Sequence, residues 1–252
     1  MRPYLLLAIL ALGLSGCNTG ILPDPNDPTD VPVVPAEALQ NRLKGANEML
    51  QRRFARGEFT EEQYREFIAR AAGEILDSVE VEDIGPDHAW RYAEVYLAAQ
   101  RWREAKDLLE ISVKQAKTED RRVNDSLRLA RALAQLGQVR KAIRVARTVF
   151  DTPPNEKAPI MMAVLLEIVP AGRGKGQDAE LGKLLQDSIQ QAKETVVDES
   201  TEPGKAFLAA RPHHVNNAWR TTIELFEAAG RRDLAQKAGD LALAEMQSRG
   251  RI

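Results

Sequence analysis

The sequence predicts an all-α protein in which helical hairpins stack into a solenoid, and three observations carry that reading. Aromatic residues make up only 5% of the chain, while Ala, Leu, Arg and Glu are plentiful, a composition that favours helices. Apolar residues recur at helical spacing from about residue 37 onward. Within that region a helix–break–helix pattern returns after 37 residues.

The first element is not part of the solenoid. Arg2 gives a positive start, Tyr4 to Leu14 forms an apolar run of about eleven residues, and Ser15 and Gly16 follow. A bilayer needs roughly twenty apolar residues, so the run reads as a cleaved export signal at 1–16. Cys17 is the only cysteine, which excludes a disulfide within the chain. Leu14-Ser15-Gly16-Cys17 resembles the lipobox of bacterial lipoproteins. That resemblance implies a diacylglycerol on the Cys17 thiol, cleavage before Cys17 and acylation of the new N-terminus. It further implies export and a lipid anchor in the cell envelope. Asn18 follows where an aspartate often marks retention at the inner membrane, so the periplasmic face of the outer membrane is the expected location. Beyond this covalent lipid no cofactor is predicted.

After the cysteine, residues 17–36 form a tether. It holds five prolines and three aspartates and no basic residue, a composition for an extended, solvated chain. At roughly 3.1 Å per residue it reaches up to about 60 Å from the lipid.

Residues 37–83 read as a helical hairpin that breaks at Gly57. Thr60 and Gln63 have capping-box spacing, and Tyr64, Phe67, Ile68, Ala71 and Ile75 keep one helical face apolar. The stretch "ARGEFTEEQYREF" resembles a short helical oligomerisation module, which implies that the chain forms a homo-oligomer through this hairpin.

Gly85-Pro86 ends the hairpin, and Asp87 is placed to cap the next helix. From there to 252 the repeats follow. "AWRYAEVYLAAQRWREAKDLL" aligns with "SLRLARALAQLGQVRKAIRVA" so that Ala93 meets Ala130, Gln100 meets Gly137 and Ala105 meets Ala142. A further copy starts at Trp219, with Gly230 and Ala235 in the equivalent places, and Ala179 opens the second helix of the unit between. Small residues belong where two helices cross at 8–10 Å. Large residues early in the first helix, the small positions and Pro154 resemble the tetratricopeptide repeat. The 37-residue period departs from that family's usual 34. The third unit has Glu167 where a small residue belongs, and residues 198–215 read as a long connection before the fourth. The predicted fold is a TPR-like α-solenoid of about four units at 87–252, preceded by the 37–83 hairpin.

Motifs with chemical potential are few. "GRGKGQ" lacks the spacing and the hydroxyl of a phosphate loop, so a flexible inter-helix loop is expected. His213 and His214 are adjacent rather than four apart, which suits a Pro-led loop before a helix capped by Asn216, not a metal site. No serine or carboxylate pair sits in a catalytic pattern, and an enzyme is not predicted. The whole chain carries 35 basic and 37 acidic residues, which gives no footprint for nucleic acid.

Locally the charge is uneven. Eight basic residues against three acidic ones fall between Glu119 and Phe150, and acidic blocks flank that band. In the tetratricopeptide family the first helix of each repeat lines the concave surface. Asn124, Arg128 and Arg131, with Trp90 and Glu94 beside them, would then form a groove for an acidic segment, while Arg140, Arg144 and Arg147 would form an outward stripe. The resemblance implies a membrane-anchored scaffold or adaptor that binds envelope proteins or peptides, in settings such as β-barrel assembly, pilus secretin assembly or cell-wall remodelling. The alternative is a self-associating structural component of the envelope with no peptide ligand.

Overall fold

The computed structural model describes residues 35–77, 79–151 and 160–249. Cys17, the signal, the tether up to residue 34 and Pro154 lie outside the described residues. Residues 35–252 form one compact unit, in which the described residues make ten helices and no β-strand. No helix among them is long and apolar enough to cross a membrane.

The hairpin comprises α1 (Ala36–Ala55) and α2 (Glu61–Leu76). Its turn is closed by the predicted capping box: Gln63 N–H donates to Thr60 Oγ1 at 3.3 Å, and Thr60 N–H donates to Gln63 Oε1 at 2.9 Å. Phe59 stands edge-on to Phe67 at 5.2 Å, and Phe54 and Tyr64 complete an aromatic cluster over the turn. Leu39 and Leu76 are buried on the face turned to the repeats. There the buried Tyr96 hydroxyl donates to the Val79 carbonyl at 3.3 Å.

The repeat hairpins pair α3 (Ala89–Ala98) with α4 (Trp102–Gln115), and α5 (Glu119–Gln135) with α6 (Val139–Arg147). The third pairs α7 (residues 160–172) with α8 (Asp178–Glu194), and the fourth pairs α9 (Glu202–Ala228) with α10 (Arg232–Arg249). Helices pack chiefly on their neighbours in sequence, as a solenoid requires. Ala93, Ala105, Ala130 and Ala142 are all fully buried, so the small positions of the repeat are where helices meet. The breaks are also equivalent: Gln100, Gly137 and Gly230 take left-handed backbone with φ of 58°, 76° and 70°.

Three expectations are corrected. Pro86 starts a 3-10 turn, Pro86–His88, that runs straight into α3, so Asp87 sits inside a turn and caps nothing. The long connection before the fourth unit is mostly helix. Thr201 caps α9 by accepting from Gly204 N–H at 3.1 Å, with Pro203 in the first turn where its missing N–H costs nothing. His213, His214 and Asn216 therefore lie within α9 rather than in a loop and at a cap. Pro212 forfeits one helical hydrogen bond, but Val215, Ala218, Trp219 and Thr222 anchor the helix just beyond it.

The helix α7 is irregular. Val164–Ile168 winds as a π-turn between Ile160–Ala163 and Val169–Gly172, which shifts the register of its apolar face. Val164 and Ile168 stay fully buried while Leu166 between them is 55% exposed.

Candidate functional site: the concave groove

The first helices of three successive repeats line one groove. Glu94, Leu97 and Ala98 come from α3, Arg128, Arg131 and Gln135 from α5, and Leu166, Glu167 and Pro170 from α7. The facing wall is α2, with Tyr64, Arg65 and Ile68, and Asn47 of α1 stands behind it. The cavity measures about 820 Å³. The N-terminal hairpin thus completes the groove.

Its charges are already partnered. Arg128 Nη2 donates to Glu94 Oε1 at 2.8 Å, and Gln40 on α1 donates to the other Glu94 oxygen at 2.6 Å. Arg128 Nη1 lies 3.5 Å from Oδ1 of Asp125, which is 1% exposed. That oxygen has no hydrogen-bond partner, so Arg128 supplies it with charge alone. The second Asp125 oxygen accepts from the Ser112 hydroxyl and, at 3.4 Å, from Arg121 Nε. Arg131 Nη1 donates to Glu167 Oε2 at 3.3 Å while its guanidinium stacks 5.4 Å from the Trp102 ring. Arg65, on the facing wall, pairs with Glu61 of its own helix. Three arginines against Glu94 and Glu167 leave the lining close to neutral.

Of the residues predicted for this site, Glu94, Arg128 and Arg131 line the groove together. Trp90 lies one turn before Glu94 on α3, outside the lining, with the guanidiniums of Arg121 and Arg91 4.7 and 5.1 Å from its ring. Asn124 is half-buried one turn before Arg128 and also outside the lining. On the other side of the stack Arg147 donates to Asp187 on α8 at 2.9 Å, and Arg140 and Arg144 are exposed without an ion pair among the described residues.

Sequence reasoning passed over Leu166, Trp102 and the whole α2 wall. A signal for Leu166 existed: the third unit carries Glu167 where a small residue belongs, the mark of a helix out of register. In the glycine loop, Gly174 and Gly176 take φ of 74° and 82°, and Lys175 Nζ donates to the Ala134 carbonyl at 3.1 Å. That carbonyl, at the C-terminal end of α5, also accepts from Gly137 N–H at 3.0 Å, so the lysine adds a second, charged donor there. Among the described residues no three His, Cys, Asp or Glu side chains gather as metal ligands would.

The groove offers an apolar patch of Ile68, Leu97, Trp102 and Leu166, ringed by arginine–glutamate pairs and amides. Such a lining suits a polypeptide segment with an apolar anchor and polar flanks. Family models, curated proteins and solved structures were compared with this chain, and none matches.

Proposed function

We propose that this protein is an exported lipoprotein of the bacterial envelope that works as a scaffold or adaptor, holding a partner polypeptide in the concave groove of its TPR-like repeats. The observation that carries this reading is Leu166, 55% exposed on the groove wall while Leu165 and Ile168 of the same helix are buried. A large apolar side chain held open beside Ile68, Leu97 and Trp102 is a surface that gains from being covered, at about 25 cal/mol per Å². The anchor rests on the lipobox-like Leu14-Ser15-Gly16-Cys17. The partner class follows from the lining, which favours a segment with an apolar side chain at its centre. An acidic one has no special advantage, because Arg128 and Arg131 already hold Glu94 and Glu167.

Two variants test the two halves of the reading. Cys17→Ser should release the protein from membranes or leave its signal uncut, and detergent-dependent fractionation identical to wild type would sink the anchor. Leu166→Glu changes an exposed residue, so folding should persist while envelope partners recovered with the wild type are lost. Equal recovery with both would place the partner elsewhere.

A further inference from the structure

The other end of the stack carries a second groove. It measures about 650 Å³ and lies between α9 and α10, lined by Ile223, Glu227, Arg232, Ala235, Gln236 and Gly239. In the earlier hairpins a following helix packs on the second helix: α5 lies on α4, and α9 lies on α8. On α10, Leu243 and Met246, farther along the same stripe, are 56% and 46% exposed.

Gly239 adds an independent point. Glycine in a helix interior is unfavourable relative to alanine, and packing within the chain does not call for it, since a Cβ there would meet nothing within 4 Å. A missing side chain on an exposed apolar stripe admits the close approach of another backbone.

The charges say which backbone. Arg232, near the start of α10, makes no ion pair among the described residues. Asp240, two turns on, holds only a hydrogen bond from Gln236 at 2.9 Å. Both flank the stripe that runs through Gln236, Gly239 and Leu243 at helical spacing. A second α10 laid antiparallel would bring Arg232 of each copy to Asp240 of the other, so the surface complements itself.

We propose that the α9–α10 hairpin is a self-association surface, on which two copies pair with α10 antiparallel to α10. Two reciprocal Arg232–Asp240 pairs fix the register and centre the crossing on Gln236, with Gly239 less than one turn away, and Leu243 of each copy lies over the α9–α10 turn of the other.

The test is the mass of the full-length chain in density-matched detergent, by sedimentation equilibrium. Wild type should be a dimer. Arg232→Glu and Asp240→Lys should each raise its dissociation constant by about tenfold or more, and the double variant should restore it. Gly239→Leu should dissociate the dimer without lowering the melting temperature measured at low protein concentration. A monomeric wild type, or single charge variants that stay as tightly dimeric, would overturn the proposal. So would a dimer broken by Met49→Glu on α1 but untouched by Arg232→Glu, which would put the interface on the N-terminal hairpin.

Discussion

Arg128 on α5 donates to Glu94 on α3 at 2.8 Å, and the same carboxylate accepts from Gln40 on α1 at 2.6 Å. One half-buried carboxylate therefore joins the N-terminal hairpin to the first two repeats, at the wall of the groove. Three of the eight cations in the basic band legible in the sequence are of this kind: Arg128, Arg131 and Arg147 are matched to acids of the units beside them.

Removing Arg128 should therefore act on stability as well as binding. Arg128→Ala leaves Glu94 and the buried Asp125 short of a cation, and urea denaturation should show a loss of about 1–3 kcal/mol. Arg128→Glu should lose more, since it sets carboxylate against carboxylate. An Arg128→Ala protein as stable as wild type would mean that these contacts contribute nothing.

The helix breaks offer a cleaner comparison. Gln100 is the one non-glycine residue with positive φ among the described residues, in the place that Gly137 and Gly230 hold in other units. Gln100→Gly should stabilise the protein by up to about 1 kcal/mol, and Gly137→Ala should destabilise it by about 1–2 kcal/mol. Thermal melts that move neither way would argue against equivalent breaks.

The crossing of α8 with α9 is tight at one point. A Cβ on Gly182 would stand 2.7 Å from the ring of Phe226, which is 1% exposed. Gly182→Ala should cost about 1–3 kcal/mol despite alanine's better helix propensity. A stabilised variant would show that the ring moves aside freely.

Acid should loosen the hairpin turn. A hydrogen bond from Arg53, with Arg56 beside it, holds the Glu58 carboxyl below the usual glutamate value of 4.5. A lowered folded-state pKa means that the carboxylate stabilises the turn above its ordinary pKa, and that this contribution fades as pH falls through the lowered one. A carbon-detected NMR titration should find the Glu58 midpoint below 4.5 and see Arg53→Gln raise it. A midpoint unchanged by that substitution would remove the link.

Much of the fold was legible because its determinants are local. The capping box at Thr60 and Gln63, the alanines at 93, 105, 130 and 142 and the breaks at Gly137 and Gly230 all announce themselves by residue type at fixed spacing. Of the misread elements, the cap at Asp87 turned on Pro86, which opens a 3-10 turn into α3, and the connection before the fourth unit turned on Pro212. Pro212 looks like a terminator, and the helix running through it is held by buried side chains that spacing alone could not weigh against the proline. The groove was half legible: Glu94, Arg128 and Arg131 follow from repeat register, whereas the α2 wall depends on how the hairpin docks, a long-range contact. The pairing of Arg131 with Glu167 was hidden for the same reason, since the π-turn in α7 sets which way Glu167 points.

The measurement that bears most directly on the groove is in-cell photocrosslinking from Leu166, with Arg144 on the outward face of α6 as the control position. The account predicts a discrete adduct with another envelope protein from position 166 and none from position 144. No adduct from position 166, or the same adducts from both positions, would contradict it.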